Sequence, residues 1–190
     1  MARKSTAKRA TKVTSSAYTP ILTPAVLAQA IQDTQGMSVQ EKLLLADELY
    51  LHQPNLLGFV LVLNTNFGAS FEQIEPLIET MIVTWQAMKI SGHQWPLITE
   101  QLQSDCLQRL TAKMHLTQKV STALREQALQ QHVNSHPEPY LLAFVHEQLN
   151  KQVWVQITNS TVKHIVLVAL NLAECVAAVA PQAIQESRAK

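Results

Sequence analysis

Histidines are the residues of this sequence best suited to chemistry, because imidazole exchanges protons near neutral pH and binds transition metals. The chain has seven. His132 and His136 have the four-residue spacing that can place two ligands on one helix face. Pro137 predicts that His136 lies beyond the helix end, and no third ligand follows at a metal-binding spacing. His52 and His136 each precede a proline-led helix and are predicted to be cations in loops or at helix ends. No metal site is predicted.

Nucleophilic chemistry is not indicated either. Residues 68–72 lack the closing glycine of a GxSxG elbow, so Ser70 is predicted to cap a helix. Cys106 and Cys175 lie far apart in the sequence without a CxxC spacing, and they are predicted to be free thiols in the core. Three nearby carboxylates are predicted to lie on a solvated helix face: Glu72, Glu75 and Glu79. No catalytic residue is therefore assigned.

Cofactor motifs are missing as well. The four glycines are too widely spaced to form the Gly-rich turn of a P-loop or of a dinucleotide-binding fold. No cofactor and no cofactor-binding residue is predicted. The chain is interpreted as non-enzymatic, and an enzyme with an unfamiliar site remains as an alternative.

The N-terminus carries a concentrated positive charge. Within its first twelve residues five cations are possible polyanion contacts: Arg3, Lys4, Lys8, Arg9 and Lys12. No acid precedes Asp33, although the whole chain has a net charge of only +1. Three interpretations fit residues 1–20: a disordered basic tail, a tail that binds nucleic acid or another anionic surface, and an organelle transit peptide.

The rest of the chain does not resemble a nucleic-acid surface. Residues 21–180 contain 8 Lys and Arg against 13 acids. The tryptophans are scattered without basic residues between them, whereas a base-stacking platform combines both features. The Gln-rich segment 117–133 is the best remaining candidate for a DNA-reading helix.

Prolines, glycines and capping residues divide the chain into helices. Thr23 before Pro24 is a typical helix start, and Ser38 with Glu41 has the capping-box spacing. Pro76 is expected either to kink its helix or to mark the true start. The predicted helices cover about residues 24–34, 38–53, 55–66, 70–91, 96–114, 117–133, 140–151 and 161–179. The run 153–157 alternates like a strand but has no partner, so an extended loop or a frayed helix is expected.

The fold class is predicted to be all-α, a bundle of about seven to eight helices. Residues 21–180 form its single domain, and 181–190 form a flexible C-terminal tail. The nearly all-apolar helix 161–179 is expected at the centre, and no apolar segment reaches the roughly 18 residues of a membrane span. The apolar face of the second helix is predicted to point inward with these residues: Val39, Leu43, Ala46, Leu49 and Tyr50.

One internal repeat stands out. Residues 54–60 match residues 139–145, where proline, two leucines, phenylalanine and valine coincide. The sequence predicts two pseudo-repeated three-helix units, 38–91 and 117–180, joined by the helix 96–114. Phe59 and Phe144 are expected to be buried at equivalent positions. Gly58 and Ala143 are expected to let another helix approach closely.

These observations predict a cytoplasmic protein that acts through a protein partner or through self-association. Charged residues make up 15% of the chain and aromatic residues 5%, so the outer faces are rich in groups that cost little to desolvate. The alternative is a nucleic-acid-associated accessory protein that uses the basic tail for affinity.

Overall fold

The computed structural model describes residues 19–118, 122–151 and 160–179. Within these ranges every regular element is an α-helix and no strand occurs, which confirms the predicted all-α class. The helices are α1 (Pro24–Gly36), α2 (Val39–His52), α3 (Pro54–Phe67), α4 (Phe71–Ile90), α5 (Glu100–Gln118), α6 (Thr122–Ser135), α7 (Pro139–Lys151) and α8 (Ser160–Val179). Most of the predicted basic tail, the run 153–157 and the C-terminal tail lie outside the described residues.

Local capping explains most helix boundaries. The Thr23 side chain accepts a hydrogen bond from the Val26 N–H at the start of α1. Ser38 and Glu41 form the predicted capping box of α2. Gly68 ends α3 in the left-handed conformation, with a φ of 65°, which a residue with a Cβ rarely adopts. These starts and stops follow from the residues within one turn of each boundary.

Three boundaries differ from expectation. Helix α5 continues to Gln118, beyond its predicted end near residue 114 and past the predicted start of α6 at residue 117. Helix α4 begins at Phe71 and continues through Pro76, so the proline does not mark its start. Helix α5 begins at Glu100 rather than near residue 96, because the residues before it are held by α2 and α3. The Gln53 side chain accepts a hydrogen bond from the Ile98 N–H at 2.8 Å and donates one to the carbonyl of residue 96 at 2.9 Å.

Helix α8 occupies the centre of the bundle, as predicted, and packs against α3, α4, α5 and α7. Its Asn171 is fully buried and donates a hydrogen bond to the Gln103 carbonyl of α5 at 3.1 Å. Of the described helices, α8 alone is long and apolar enough to cross a membrane, with a mean hydropathy of 1.8 over its most apolar window. The core helix of a soluble bundle has the same properties, so this is weak evidence for a span.

The predicted inward face of α2 is wrong for three of its five residues. Leu45 and Leu49 are the buried residues of this helix. Val39, Leu43 and Tyr50 point outward and are 77%, 55% and 58% exposed. Apolar residues occupy both sides of α2, so their spacing alone does not say which side packs.

The pseudo-repeat is not confirmed. Phe144 is buried, whereas its counterpart Phe59 is only half-buried at the edge of the core. The expected close helix approach is also wrong. Gly58 is exposed, and a Cβ built there would meet no atom within 4 Å. Ala143 is exposed too. The two matching segments therefore start their helices alike but lie in different surroundings.

Candidate functional site

The most polar cluster of the described residues surrounds Glu174 on α8. The Glu174 carboxylate lies 3.3 Å from His132 Nε2 of α6 and 3.4 Å from Lys113 Nζ of α5. The His132 hydrogen bond and the Lys113 charge lower the Glu174 pKa to about 2, against the opposing effect of burial. A carboxyl group with so low a pKa stays ionised near neutral pH and does not act as a general acid or base there. The cluster therefore joins three helices.

A second acid, the buried Glu138, binds the chain segment before α1. The Glu138 carboxylate accepts hydrogen bonds from the Ile21 and Leu22 N–H groups, both at 3.0 Å. Burial raises the pKa of Glu138, while the two N–H donors oppose the rise. Glu138 is fully buried, and both of its oxygens have partners. It has no free face for a substrate and serves the fold.

His136 differs from its sequence prediction. It lies beyond the end of α6, as expected, but it is buried rather than a helix-end cation. Its Nδ1 accepts a hydrogen bond from the Glu138 N–H at 3.1 Å. Burial lowers the pKa of His136, which favours the neutral ring. The predicted cation is therefore wrong, because the sequence does not show that the α6–α7 connection is buried.

The other histidines do not assemble a metal site. His52 is exposed and its Nδ1 lies 2.9 Å from the Glu48 carbonyl. His164 stacks on Phe67 with a centroid distance of 3.9 Å. In the parts of the chain that the structure describes, no three His, Cys, Asp or Glu side chains are grouped as metal ligands.

The two cysteines, distant in sequence, meet in the core between α5 and α8. Both are buried and free. Burial raises the pKa of the Cys175 thiol, and the adjacent Cys106 raises it further. The thiolate is the reactive form of cysteine, so this environment makes Cys175 a poor nucleophile. Their contact joins residues 69 positions apart, which the sequence does not reveal.

A groove lies between α1, α2, α4 and α7 and has a volume of about 120 Å³. Pockets for small molecules usually measure about 300–1,000 Å³. Lys42 and Glu79 stand 4.0 Å apart at its rim. The groove accommodates at most a side chain and does not indicate a cofactor site.

The most unusual surface is the outward face of α2. We use this name for five side chains that are 55–77% exposed: Val39, Leu43, Leu44, Tyr50 and Leu51. At 100° per residue they fall on one side of the helix, opposite Leu45 and Leu49. The polar residues on the same side are Gln40 and Asp47. Asp47 makes no hydrogen bond or ion pair with any described residue.

Contacts with α4 hold α2 in this orientation. The Lys89 ammonium lies 2.5 Å from the Glu48 carboxylate, and Lys42 lies 4.0 Å from Glu79. Glu48 and Lys42 flank the buried Leu45, so both ion pairs lie on the side of α2 that faces α4, where the burial of Leu45 and Leu49 sets the orientation. The exposed position of the apolar residues opposite is therefore a consequence of how α2 packs.

Helix α3 also has exposed apolar residues. It contains no charged residue and packs against α2. Its Leu61, Val62 and Phe67 are 44%, 38% and 39% exposed. The five cations predicted as polyanion contacts lie outside the described residues. The spacing of apolar residues in α2 does not reveal the outward face, because it predicts that Val39, Leu43 and Tyr50 point inward.

Comparison with protein-family models, with curated proteins and with solved structures finds no significant match.

Proposed function

We propose that this protein acts through protein–protein interaction or self-association, with the outward face of α2 as the contact surface. The observation that carries the proposal is the concentration of five exposed, large apolar side chains on one helix of 14 residues. Scattered exposed leucines are ordinary, but a contiguous apolar patch on a surface marks an interaction site.

The size of the face supports this proposal. A Val or Leu side chain has on the order of 100 Å² of apolar surface and an aromatic side chain about 150–250 Å², so the five exposed ones offer on the order of 400 Å². The largest patch on a typical monomer covers about 300–600 Å² and often has a function. A standard interface takes about 800 Å² from each partner. The outward face alone therefore suits a weak complex.

The test compares binding by full-length variants. Leu43→Glu with Leu51→Glu places two charges on the outward face. As a control, Leu97→Glu places one charge on a leucine elsewhere that is 51% exposed, close to the 55% of Leu43. The variants are tagged and used for cross-linking and affinity capture, and their unfolding is measured in parallel. The double variant is expected to lose self-association and partner capture while Leu97→Glu keeps both. Equal capture by both variants would contradict the proposal.

A second candidate function rests on the charge of the N-terminus. Five cations in the first twelve residues precede a body in which acids outnumber cations. Such a tail supplies sequence-independent affinity for nucleic acid. Duplex binding that disappears when residues 1–12 are removed would support this candidate.

A further inference from the structure

We infer that the outward face of α2 pairs with the same face of a second copy, the two α2 helices lying side by side and parallel. The two-fold axis of this dimer runs along the helices. The inference rests on the proposed function and specifies its partner.

The spacing of apolar residues fits such a seam. Val39, Leu43, Ala46 and Tyr50 follow one another at intervals of four, three and four residues, which is the a and d pattern of paired helices. The three large ones are 55–77% exposed, and Ala46 is half-buried. Leu43 and Tyr50 take the a positions, and Val39 and Ala46 take the d positions. The other two leucines of the face lie to one side of this seam.

The charges beside the seam select the parallel direction. Lys42 precedes the first a residue and takes position g, and Asp47 follows the second d residue and takes position e. In a parallel pair, g faces the e position five residues further along the partner helix. Lys42 therefore meets Asp47 of the partner subunit, and symmetry repeats the contact. In an antiparallel pair, like positions face each other across the seam, so Lys42 and Asp47 lie on opposite sides.

The state of these two charges in one copy agrees with the inference. Asp47 has no partner among the described residues. Lys42 lies 4.0 Å from Glu79, at the limit of an ion pair, and both side chains are more than a third exposed. Such an exposed ion pair contributes little to stability, so Lys42 can leave Glu79 and contact a residue of a second copy at a small cost in free energy.

The dimer is expected to be weak. The seam is only two heptads long and takes on the order of 300 Å² from each copy, below the roughly 800 Å² of a stable interface. Its helices are already formed by packing on α3 and α4, so pairing does not bear the cost of helix nucleation. We therefore expect a dimer dissociation constant in the micromolar range or higher.

Cysteine cross-linking distinguishes the seam from its surroundings. Leu43→Cys and Leu44→Cys change neighbouring leucines that are 55% and 59% exposed. In the parallel dimer the two copies of residue 43 face each other, whereas the two copies of residue 44 point away. With oxidised glutathione as the two-electron oxidant, Leu43→Cys is expected to form a disulfide-linked dimer at least about tenfold faster. Equal rates, or a faster Leu44→Cys, would overturn the inference.

Charge reversal tests the direction. Asp47→Lys and Lys42→Glu each create two repulsive contacts and should raise the dimer dissociation constant about fivefold or more in sedimentation experiments on the full chain. The double reversal should restore the original value. A double variant as weak as the single ones would contradict the parallel arrangement. If self-association still requires the outward face, the proposed function survives this failure; if the face has no effect, both fail.

Discussion

Replacing Glu174 by Gln keeps the shape of the side chain and removes the negative charge that Lys113 and His132 share. The Glu174 pKa falls from an ordinary value of 4.5 to about 2 in the folded protein. At 1.36 kcal/mol for each pKa unit, this corresponds to roughly 3 kcal/mol of stabilisation. Lys113 is half exposed, so solvent weakens its share. We therefore expect Glu174→Gln to lower the free energy of unfolding by about 1.5–2 kcal/mol near pH 6.

The pH dependence has a defined sign. Because the folded pKa lies below the unfolded one, the ionised Glu174 stabilises the protein above about pH 4.5, and this contribution disappears as the pH falls toward 2. Urea unfolding of the wild type and of Glu174→Gln at several pH values measures it. The difference between the two proteins should shrink from pH 4.5 downward.

A surface ion pair provides the matched control. Glu147 and Lys151 lie only 2.8 Å apart on α7, closer than Glu174 to either of its partners, but their side chains are about 60% exposed. Glu147→Gln should change stability by less than about 0.5 kcal/mol. A larger loss for Glu147→Gln than for Glu174→Gln, or a Glu174 effect that persists unchanged at pH 2, would refute the argument that burial decides the strength of these pairs.

Three further outcomes are expected. Glu138→Ala leaves two buried N–H groups without acceptors and should cost about 2–4 kcal/mol, with faster hydrogen exchange just before α1; unchanged exchange there would contradict this account. Phe144→Ala should lower the free energy of unfolding by about 3–5 kcal/mol in urea melts, and Phe59→Ala should lower it clearly less because Phe59 is half-buried. Equal losses of stability in the two variants would argue against this difference in burial. If the N-terminal cations bind duplex DNA, the slope of log K against log salt should approach about −4 to −5, and deletion of residues 1–12 should abolish binding. DNA binding by the truncated protein would contradict the hypothesis that the tail binds DNA.

Helix boundaries were predictable because their causes are local. Thr23, Ser38 and Ser70 each accept a hydrogen bond from a backbone N–H three residues ahead. Gly68 supplies a left-handed residue where α3 ends. The start of α5 was misplaced for the opposite reason. Gln53, more than 40 residues earlier, binds the segment before α5 and delays the helix.

The polar clusters could not be predicted, since each joins distant parts of the chain. Glu138 binds residues more than 110 positions earlier. Glu174 contacts one helix through His132 and another through Lys113. In the sequence, Glu174 follows the largely apolar run 165–173, and nothing beside it identifies Lys113 or His132 as its partners. A single sequence shows which residues carry charge, but the partner of a charge depends on how the helices pack.

The position of the apolar surface follows from how many helices cover each element, rather than from hydrophobicity alone. Helix α8 is strongly apolar, yet α3, α4, α5 and α7 cover it. Helix α2 packs mainly against α3 and α4, and these neighbours bury Leu45 and Leu49 while the opposite side stays in water. Fully burying a Val or Leu side chain contributes about 1.5–3 kcal/mol, so the exposed apolar residues of α2 would gain stability from any partner that covers them. The dimer that we propose would supply matching apolar residues at the same spacing and the opposite charge at the matching offset, and it would complete the packing that α2 lacks within one chain.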